Sequence, residues 1–193
     1  MKKIAIAAAL FAAFTSTAFA QTSRDRADPF AGFSLGVLVN SNKANYEYWS
    51  PTAHATSSST TSNVAVQGQY NWRLSGSAYV AVGATTALTA PNYGNVDGKD
   101  IASLYIAPGY AVAENTLLYA KLGSSAVRLQ GAARSASMEG SAFGVGFQQH
   151  MGNGLSVQLE YMAHQFTDRA VPVFNGTDRF KAGVLSAGLN YRF

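Results

Sequence analysis

The sequence predicts an all-β fold, an eight-stranded antiparallel up-and-down transmembrane β-barrel. Segments of about ten residues alternate between apolar and small or polar side chains, as expected when one strand face meets lipid and the other the barrel interior. Only 12% of residues are charged and the mean hydropathy is +0.02. After residue 20, no uninterrupted apolar run approaches the roughly 18 residues that a membrane helix needs. The connections between segments also alternate between short turns and long loops.

Residues 1–20 have the composition of a secretory signal peptide. Met1-Lys2-Lys3 is positively charged, residues 4–14 are apolar, and Ala18-Phe19-Ala20 matches the small-residue pattern before a cleavage site. The apolar run is too short for an uncleaved membrane anchor. We therefore expect cleavage after residue 20, a short N-terminal segment over residues 21–29, and the barrel domain over residues 30–193.

The eight predicted strands differ in how clearly they alternate. The first two are the clearest, and the third is ambiguous because Ala, Gly and Thr occupy both of its faces. The fourth contains Pro108, which cannot donate a ladder hydrogen bond and therefore suggests a bulge. In the last four strands, apolar residues alternate regularly with small and polar ones. The predicted bounds are 30–40, 64–73, 77–88, 101–112, 116–129, 138–150, 155–166 and 179–193.

The alternation also predicts which residues point outward. A soluble lipocalin-type barrel would bury its apolar residues in the lumen. Here the apolar face is the longer and more regular one, and the opposite face consists mainly of Gly, Ser, Gln and Asn, which favours lipid outside. Aromatic residues are predicted in two interfacial girdles. One girdle contains Tyr70, Trp72, Tyr110, Phe147, Tyr191 and Phe193, and the other contains Tyr161 and Phe166.

The lengths of the connections predict the orientation of the barrel. Such barrels have short periplasmic turns and longer extracellular loops. On that basis both termini are predicted to be periplasmic, including the 21–29 segment. Within the first long connection, residues 56–62 are a run of Ser and Thr that cannot form a core and is predicted to be mobile. The long connections are 41–63, 89–100, 130–137 and 167–178, and the short ones are 74–76, 113–115 and 151–154.

The last eight residues resemble the terminal signal of bacterial outer-membrane proteins, with Gly188, Tyr191 and Phe193 at its glycine and aromatic positions. That resemblance implies recognition by the barrel-assembly machinery. Together with Leu118-Tyr119-Ala120-Lys121-Leu122-Gly123 and Gly144-Val145-Gly146-Phe147-Gln148, residues 30–193 resemble the small outer-membrane β-barrel family that includes OmpA-type and OmpX-type proteins, porin-like eight-stranded barrels. The resemblance implies an integral protein of the bacterial outer membrane in contact with lipids and lipopolysaccharide.

Several kinds of site are not predicted. The chain has no Cys, which excludes disulfides, thiol catalysis and Cys-based metal sites. The three His residues, His54, His150 and His164, lie far apart in strand order and show no paired metal-ligand spacing. No basic patch is interleaved with exposed aromatics, so no nucleic-acid partner is expected. We expect no cofactor, no metal and a monomer.

Lys121 and Glu160 are predicted to point into the lumen from the fifth and seventh strands. Between them, the sixth strand offers inward Gly144 and Gly146, which would leave room for the two charges to approach. One interpretation is a gate or selectivity filter in a narrow pore. The other is a structural ion pair, because eight strands enclose space only for side chains.

Glu160 and His164, both inward on the seventh strand, raise the question of acyl-transfer chemistry. Lipid A 3-O-deacylases are outer-membrane barrels of similar size with a His-x-Ser-Asn motif on a late strand. This chain has His164-Gln165-Phe166-Thr167, with Phe at the nucleophile position. The sequence therefore predicts no catalytic residues and no enzyme activity, and a lipid A-modifying acyl hydrolase remains an alternative.

Tyr46, Tyr48 and Trp49 lie in the first long connection. They could form a surface for an extracellular ligand, or they could continue a strand and pack on neighbouring loops. The sequence thus favours a non-enzymatic envelope protein with a structural or adhesion-like role through its extracellular loops. A narrow pore is the other non-enzymatic alternative.

Overall fold

The computed structural model describes residues 28–50, 53–89, 96–131, 135–166, 169–171 and 176–193, so the predicted signal peptide lies outside the described residues. They form one antiparallel sheet. The first seven strands pair in sequence order, the seventh also pairs with the ninth, and the ninth pairs with the first to close a ring. The strands are β1 (Gly32–Ser50), β2 (Ala53–Ser75), β3 (Ala78–Ala87), β4 (Val96–Ala113), β5 (Thr116–Gly131), β6 (Ser135–Gly152), β7 (Leu155–Phe166), β8 (Arg169–Val171) and β9 (Gly176–Arg192).

The ring consists of eight strands, β1 to β7 and β9, which confirms the predicted fold class. β8 has only 3 residues and pairs only with the start of β9. It therefore adds a small hairpin to the rim and does not belong to the closed wall. In the described part of the chain, no helix is long and apolar enough to cross a membrane.

The two ends of the barrel differ. At one end, which we call the turn end, tight turns join β2 to β3, β4 to β5 and β6 to β7. Asn153 and Gly154 both have positive φ, 52° and 78°, as a two-residue hairpin turn requires. Residues 28–31 and Phe193 also lie at this end, where the Phe193 N–H donates to the Phe33 carbonyl at 3.0 Å. The opposite end is called the loop end.

The predicted alternation of faces holds along the wall. On β5, Leu122 is 52% exposed and Lys121 is 2% exposed. On β7, odd-numbered apolar residues are exposed and even-numbered polar residues are buried in the same way. The exterior therefore carries the apolar side chains and the lumen carries the polar ones. The exposed residues of β7 include Leu155, Val157 and Leu159, and the buried ones include Ser156, Gln158 and Glu160.

The prediction of a long connection over residues 41–63 was wrong. The β1–β2 ladder continues without interruption from Ser41↔Ser62 to Ser50↔Ala53, so the Ser/Thr run over residues 56–62 belongs to a strand. An antiparallel ladder satisfies its backbone hydrogen bonds internally and needs no core beneath it. β9 also pairs with the other edge of β1, which makes β1 the central strand of the extension. β4, β6 and β9 likewise begin inside the predicted long connections.

The predicted bulge at Pro108 is also absent. Ile106↔Leu122 and Gly109↔Tyr119 keep one register between β4 and β5 across this residue. A proline removes a single donor, and in an antiparallel strand that costs one bond to one neighbour. The register shifts of β4 lie instead between Lys99 and Ala102 and between Ala111 and Ala113.

Candidate functional site

The polar groups most capable of chemistry lie in the middle of the lumen, around Lys121 and Glu160. Lys121 Nζ is 2.6 Å from Glu160 Oε2, and the two side chains are only 2% and 5% exposed. Tyr119 Oη and Gln158 Nε2 also donate to Glu160 Oε2, at 3.0 and 3.1 Å. The carboxylate therefore has three donors, which is how a buried charge is tolerated.

Amide side chains on two further strands, β2 and β9, and a tyrosine on β4 complete this network. Lys121 Nζ donates to Gln67 Oε1 at 2.7 Å, and Gln67 Nε2 donates to Gln158 Oε1 at 3.1 Å. Asn190 Nδ2 donates to the same Gln158 oxygen at 2.6 Å. Tyr105 donates to Gln69 Oε1 at 3.0 Å, and its ring lies 4.1 Å from Lys121 Nζ. The network joins β2, β4, β5, β7 and β9 across the lumen.

The space beside the two inward glycines of β6 is occupied. A Cβ on Gly146 would lie 2.5 Å from Tyr119 Oη, and Gly144 is covered by Met162. The glycines therefore make room for a tyrosine and a methionine from the adjacent strands. Lys121 meets Glu160 within a packed layer of side chains.

At the turn end, residues 28–31 fold into the mouth of the barrel as a plug. Asp28 Oδ1 accepts from the N–H groups of Phe30 and Ala31 at 3.0 and 3.1 Å, and Tyr79 Oη donates to both Asp28 carboxylate oxygens at 3.0 Å. Phe30 is 1% exposed and packs edge-on against Tyr79, with 5.8 Å between ring centroids. Gly32, at φ 112°, then leads the chain into β1. Residues 28 and 29 are the described part of the 21–29 segment.

Toward the loop end, His164 has a serine partner that the sequence did not indicate. Ser125 Oγ on β5 is 2.9 Å from His164 Nδ1 and 2.7 Å from Ser103 Oγ on β4. Ser125 is 3% exposed. His164 and Ser103 border a lumen cavity of about 60 Å³ that Asn40 and Lys121 also line, enough space for a few water molecules.

An apolar cluster lies above this cavity, at the loop end. On β7, Phe166 is the inward position after His164, and their rings stack at 6.3 Å. Phe166 is 7% exposed. Its predicted place in an interfacial girdle was therefore wrong: residues of even number on β7 point inward, so this aromatic packs in the lumen. The cluster consists of Ala44, Val127, Met138, Phe166 and Ala182.

The remaining predicted site residues lie apart from the lumen network. Tyr46, Tyr48 and Trp49 are in the β1 extension, opposite Ser57, Ala55 and His54, and their side chains lie outside what the structure describes. On β9, Gly188 lies inward against Leu38. Tyr191 and Phe193 are outward, 49% and 64% exposed, and their rings meet edge-on at 5.1 Å.

Within the described residues, no group of three or more His, Asp or Glu residues is arranged to hold a metal ion. Sequence reasoning predicted an inward face of Gly, Ser, Gln and Asn but did not identify Gln67, Gln69, Gln158 and Asn190 as partners of the ion pair. The signal that could have found them, and also Ser125, is register. Side chains meet across a lumen only when their strands are staggered to the same height, and alternation alone does not fix that stagger.

A family model described as "Outer membrane protein beta-barrel domain" matches residues 6–193. No curated protein sequence matches this chain significantly. The chain is similar in fold to Ail, the attachment invasion locus protein of Yersinia pestis, with a TM-score of 0.50, 15% identity, and coverage of 85% of this chain and 100% of Ail.

Two further solved structures are similar. One is Ail in complex with the heparin analogue sucrose octasulfate, with a TM-score of 0.46, 15% identity, and coverage of 83% of this chain and 99% of that one. The other is Neisserial surface protein A, with a TM-score of 0.47, 16% identity, and coverage of 81% and 97%. At these identities the similarity concerns the barrel fold.

Proposed function

The chain belongs to the family of outer membrane protein beta-barrel domains, and from this premise we propose that it is a non-enzymatic surface-interaction protein of the bacterial outer membrane. One observation carries the proposal. The polar side chains capable of chemistry are packed inside a filled lumen, while the longest hairpin, β1 with 19 residues and β2 with 23, projects beyond it. β3, by contrast, has 10 residues.

We propose that the turn end faces the periplasm and the loop end faces outward, since short turns are periplasmic in bacterial barrels. Removal of residues 1–20 and recognition of Gly188, Tyr191 and Phe193 by the assembly machinery would then precede insertion. The protein would act as a monomer without a cofactor. Its extension of β2, β1 and β9 would be presented to the medium.

The packing of the lumen supports this role over a narrow pore. From the turn end to the loop end, the inward residues of β5 include Leu117 against the plug, Lys121 in the ion pair, Ser125 beside His164, and Val127 in the apolar cluster. An eight-stranded barrel has space for little besides its side chains. Ions would have to cross all of these layers.

Ser125 and His164 have the hydrogen bond of an acyl-transfer pair, but their location argues against lipid A as a substrate. The acyl esters of lipid A lie in the outer leaflet, on the other side of the barrel wall. We expect Ser125→Ala to leave lipid A unchanged, because no ester can approach the Ser125 oxygen through the wall or the apolar cluster above it. Mass spectrometry of lipid A would compare cells producing the wild type, the variant or neither.

Ser103→Ala is the matched control. It removes a serine that hydrogen-bonds Ser125 and keeps the pair of Ser125 and His164. Identical acyl patterns are expected from all four kinds of cell: wild type, Ser125→Ala, Ser103→Ala and cells without the protein. The opposite result would be lipid A that lacks an acyl chain in cells producing the wild type or Ser103→Ala and keeps it in cells producing Ser125→Ala. That result would establish the hydrolase and overturn the non-enzymatic proposal.

The hairpin can be shortened while the eight-stranded ring below it stays closed, although residues 177–180 of β9 then lose their β1 partners. Asn45 and Ser58 are paired in the β1–β2 register, so a two-residue Asn-Gly turn can replace residues 46–57 and close the ladder there. We expect adherence of expressing cells to epithelial monolayers to fall to the level of cells without the protein. The physical reason is that the deletion removes the outermost surface, including Tyr46, Tyr48 and Trp49.

The full-length variant Tyr46→Ser/Tyr48→Ser/Trp49→Ser distinguishes the contribution of the aromatic side chains from that of the length of the hairpin. Heat-modified mobility on a detergent gel would verify that each variant is folded. Undiminished adherence of the folded, shortened variant would contradict the proposal. A discrete conductance of the wild type in planar bilayers would favour the pore instead.

A further inference from the structure

The exterior of the barrel changes its chemistry where β1 and β9 leave the apolar belt. Val39 on β1 and Leu185 on β9 are 60% and 51% exposed. Lys43 on β1 and Lys181 on β9 are exposed, and each lies four residues closer to the loop end than the apolar residue of its strand. Each lysine follows its apolar residue on the same outward face, because four residues are two full alternations of a strand.

The β1–β9 register places the two lysines side by side. Lys43 is opposite Gly183, and Lys181 is opposite Asn45. Lys43 and Lys181 are therefore diagonal neighbours, about 7–8 Å apart at the backbone, within reach of two long side chains. Their ammonium groups can converge on one anion.

Gly183 leaves the surface between these lysines without a side chain. Tyr161 of β7 fills part of that space, and its hydroxyl lies 2.8 Å from the position that a Cβ on Gly183 would take. Gln165, exposed on the same face of β7, is opposite Lys181. We name Lys43, Tyr161, Gln165 and Lys181, around Gly183, the headgroup patch. It offers two ammonium groups, a phenol and an amide at the upper margin of the apolar belt.

The headgroup patch is set apart from the carboxylates that form ion pairs in the lumen. Asp28, paired with Arg73, lies at the turn-end mouth of the barrel. Glu160, paired with Lys121, lies in the middle of the lumen and faces away from the patch. On β1, Glu47 lies two residues beyond Asn45, the partner of Lys181, so it is a diagonal neighbour of Lys181 on the side away from Lys43. A phosphate group is the anion that such a cluster of donors attracts at a membrane surface.

We propose that the headgroup patch binds a phosphate of lipid A, so that the barrel holds a lipopolysaccharide molecule at its side. The patch faces sideways and is continuous with the apolar belt, so its neighbour is the surrounding leaflet, whose acyl chains lie against Val39 and Leu185. Beside it on β1 and β2, exposed Ser41, Thr60 and Ser62 add hydroxyl groups. The inference rests on the orientation given under the proposed function, with the loop end outside.

The test uses the full barrel folded in phosphatidylcholine vesicles containing diphosphorylated lipid A, with the retained lipid A counted by native mass spectrometry. We expect Lys43→Gln and Lys181→Gln to weaken retention by about 5-fold each, and the double variant by about 25-fold, since each lysine contributes near an anionic surface. Arg128→Gln, which removes an exposed cation from β5, is the matched control and should retain lipid A as the wild type does.

Vesicles with phosphatidylglycerol in place of lipid A provide the second arm. A loss confined to lipid A supports the proposal. Equal retention by the wild type and the double variant would overturn it, and so would an equal loss of both anionic lipids, since the patch would then be a general anionic contact. Adherence of cells carrying the double variant should be unchanged, so failure here is distinguishable from failure of the proposed function.

Discussion

Replacing Lys121 by Met is expected to destabilise the barrel by about 3–5 kcal/mol, because it leaves a buried carboxylate without its cation. Glu160 is 5% exposed and would keep only two neutral donors, Tyr119 and Gln158. Gln67 would lose its donor from Lys121 at the same time. The free energy of unfolding can be measured by denaturant titration in vesicles, followed by tryptophan fluorescence.

The double variant Lys121→Met/Glu160→Gln distinguishes a lost charge pair from a lost packing contact. It removes both charges and keeps an oxygen to accept from Tyr119 and Gln158. We expect it to recover most of the stability, since replacing a buried ion pair by neutral groups is often close to neutral in cost. A free energy of unfolding for Lys121→Met within about 1 kcal/mol of the wild type would contradict a buried charge pair at this site. A double variant no more stable than Lys121→Met would also contradict it.

Replacing Phe30 by Ala is expected to cost about 3–5 kcal/mol, the usual range for a fully buried phenylalanine. Its ring fills the mouth of the barrel against Tyr79 and Leu117. Asn71 Nδ2 donates to the Phe30 carbonyl at 2.9 Å, a backbone bond that the substitution keeps, so the loss reports on the ring alone. The same denaturant titration measures the effect.

Phe33→Ala is the matched control, three residues away and on the outward face. Phe33 stacks on Phe193 with 5.9 Å between ring centroids, and lipid can fill the space that its truncation leaves. We expect a clearly smaller loss of stability. Equal losses for Phe30→Ala and Phe33→Ala would mean that residues 28–31 contribute no packing beyond that of any aromatic residue on the wall.

The strand faces could be predicted because they depend on a local rule. Leu122 and Lys121 differ in environment only because adjacent residues of a strand point to opposite sides, and that difference is visible in the sequence. Phe166 shows the limit of reasoning from residue type. An aromatic near a strand end suggested a girdle, but its position two residues beyond inward His164 already placed it in the lumen.

Other features depend on contacts between distant strands. The Ser/Thr run of β2 has the composition of a loop, yet it pairs with β1, which is itself held by β9. Ser125 and His164 lie 39 residues apart in the chain, and Asp28 precedes Tyr79 by 51. Such pairs depend on the stagger of the strands round the ring, and the stagger is a property of the closed barrel as a whole.

The seam between β1 and β9 has a consequence for how the polypeptide acquires its structure. It joins Leu35 to Tyr191 and Ser34 to Arg192, residues from opposite ends of the barrel domain. While the last strand is missing, the growing sheet has two unpaired edges, and such edges recruit other chains. Closing the ring is also the contact of longest sequence separation, which slows folding. The barrel can therefore reach its native topology only after β9 has been synthesised, and until then the chain must be kept from aggregating.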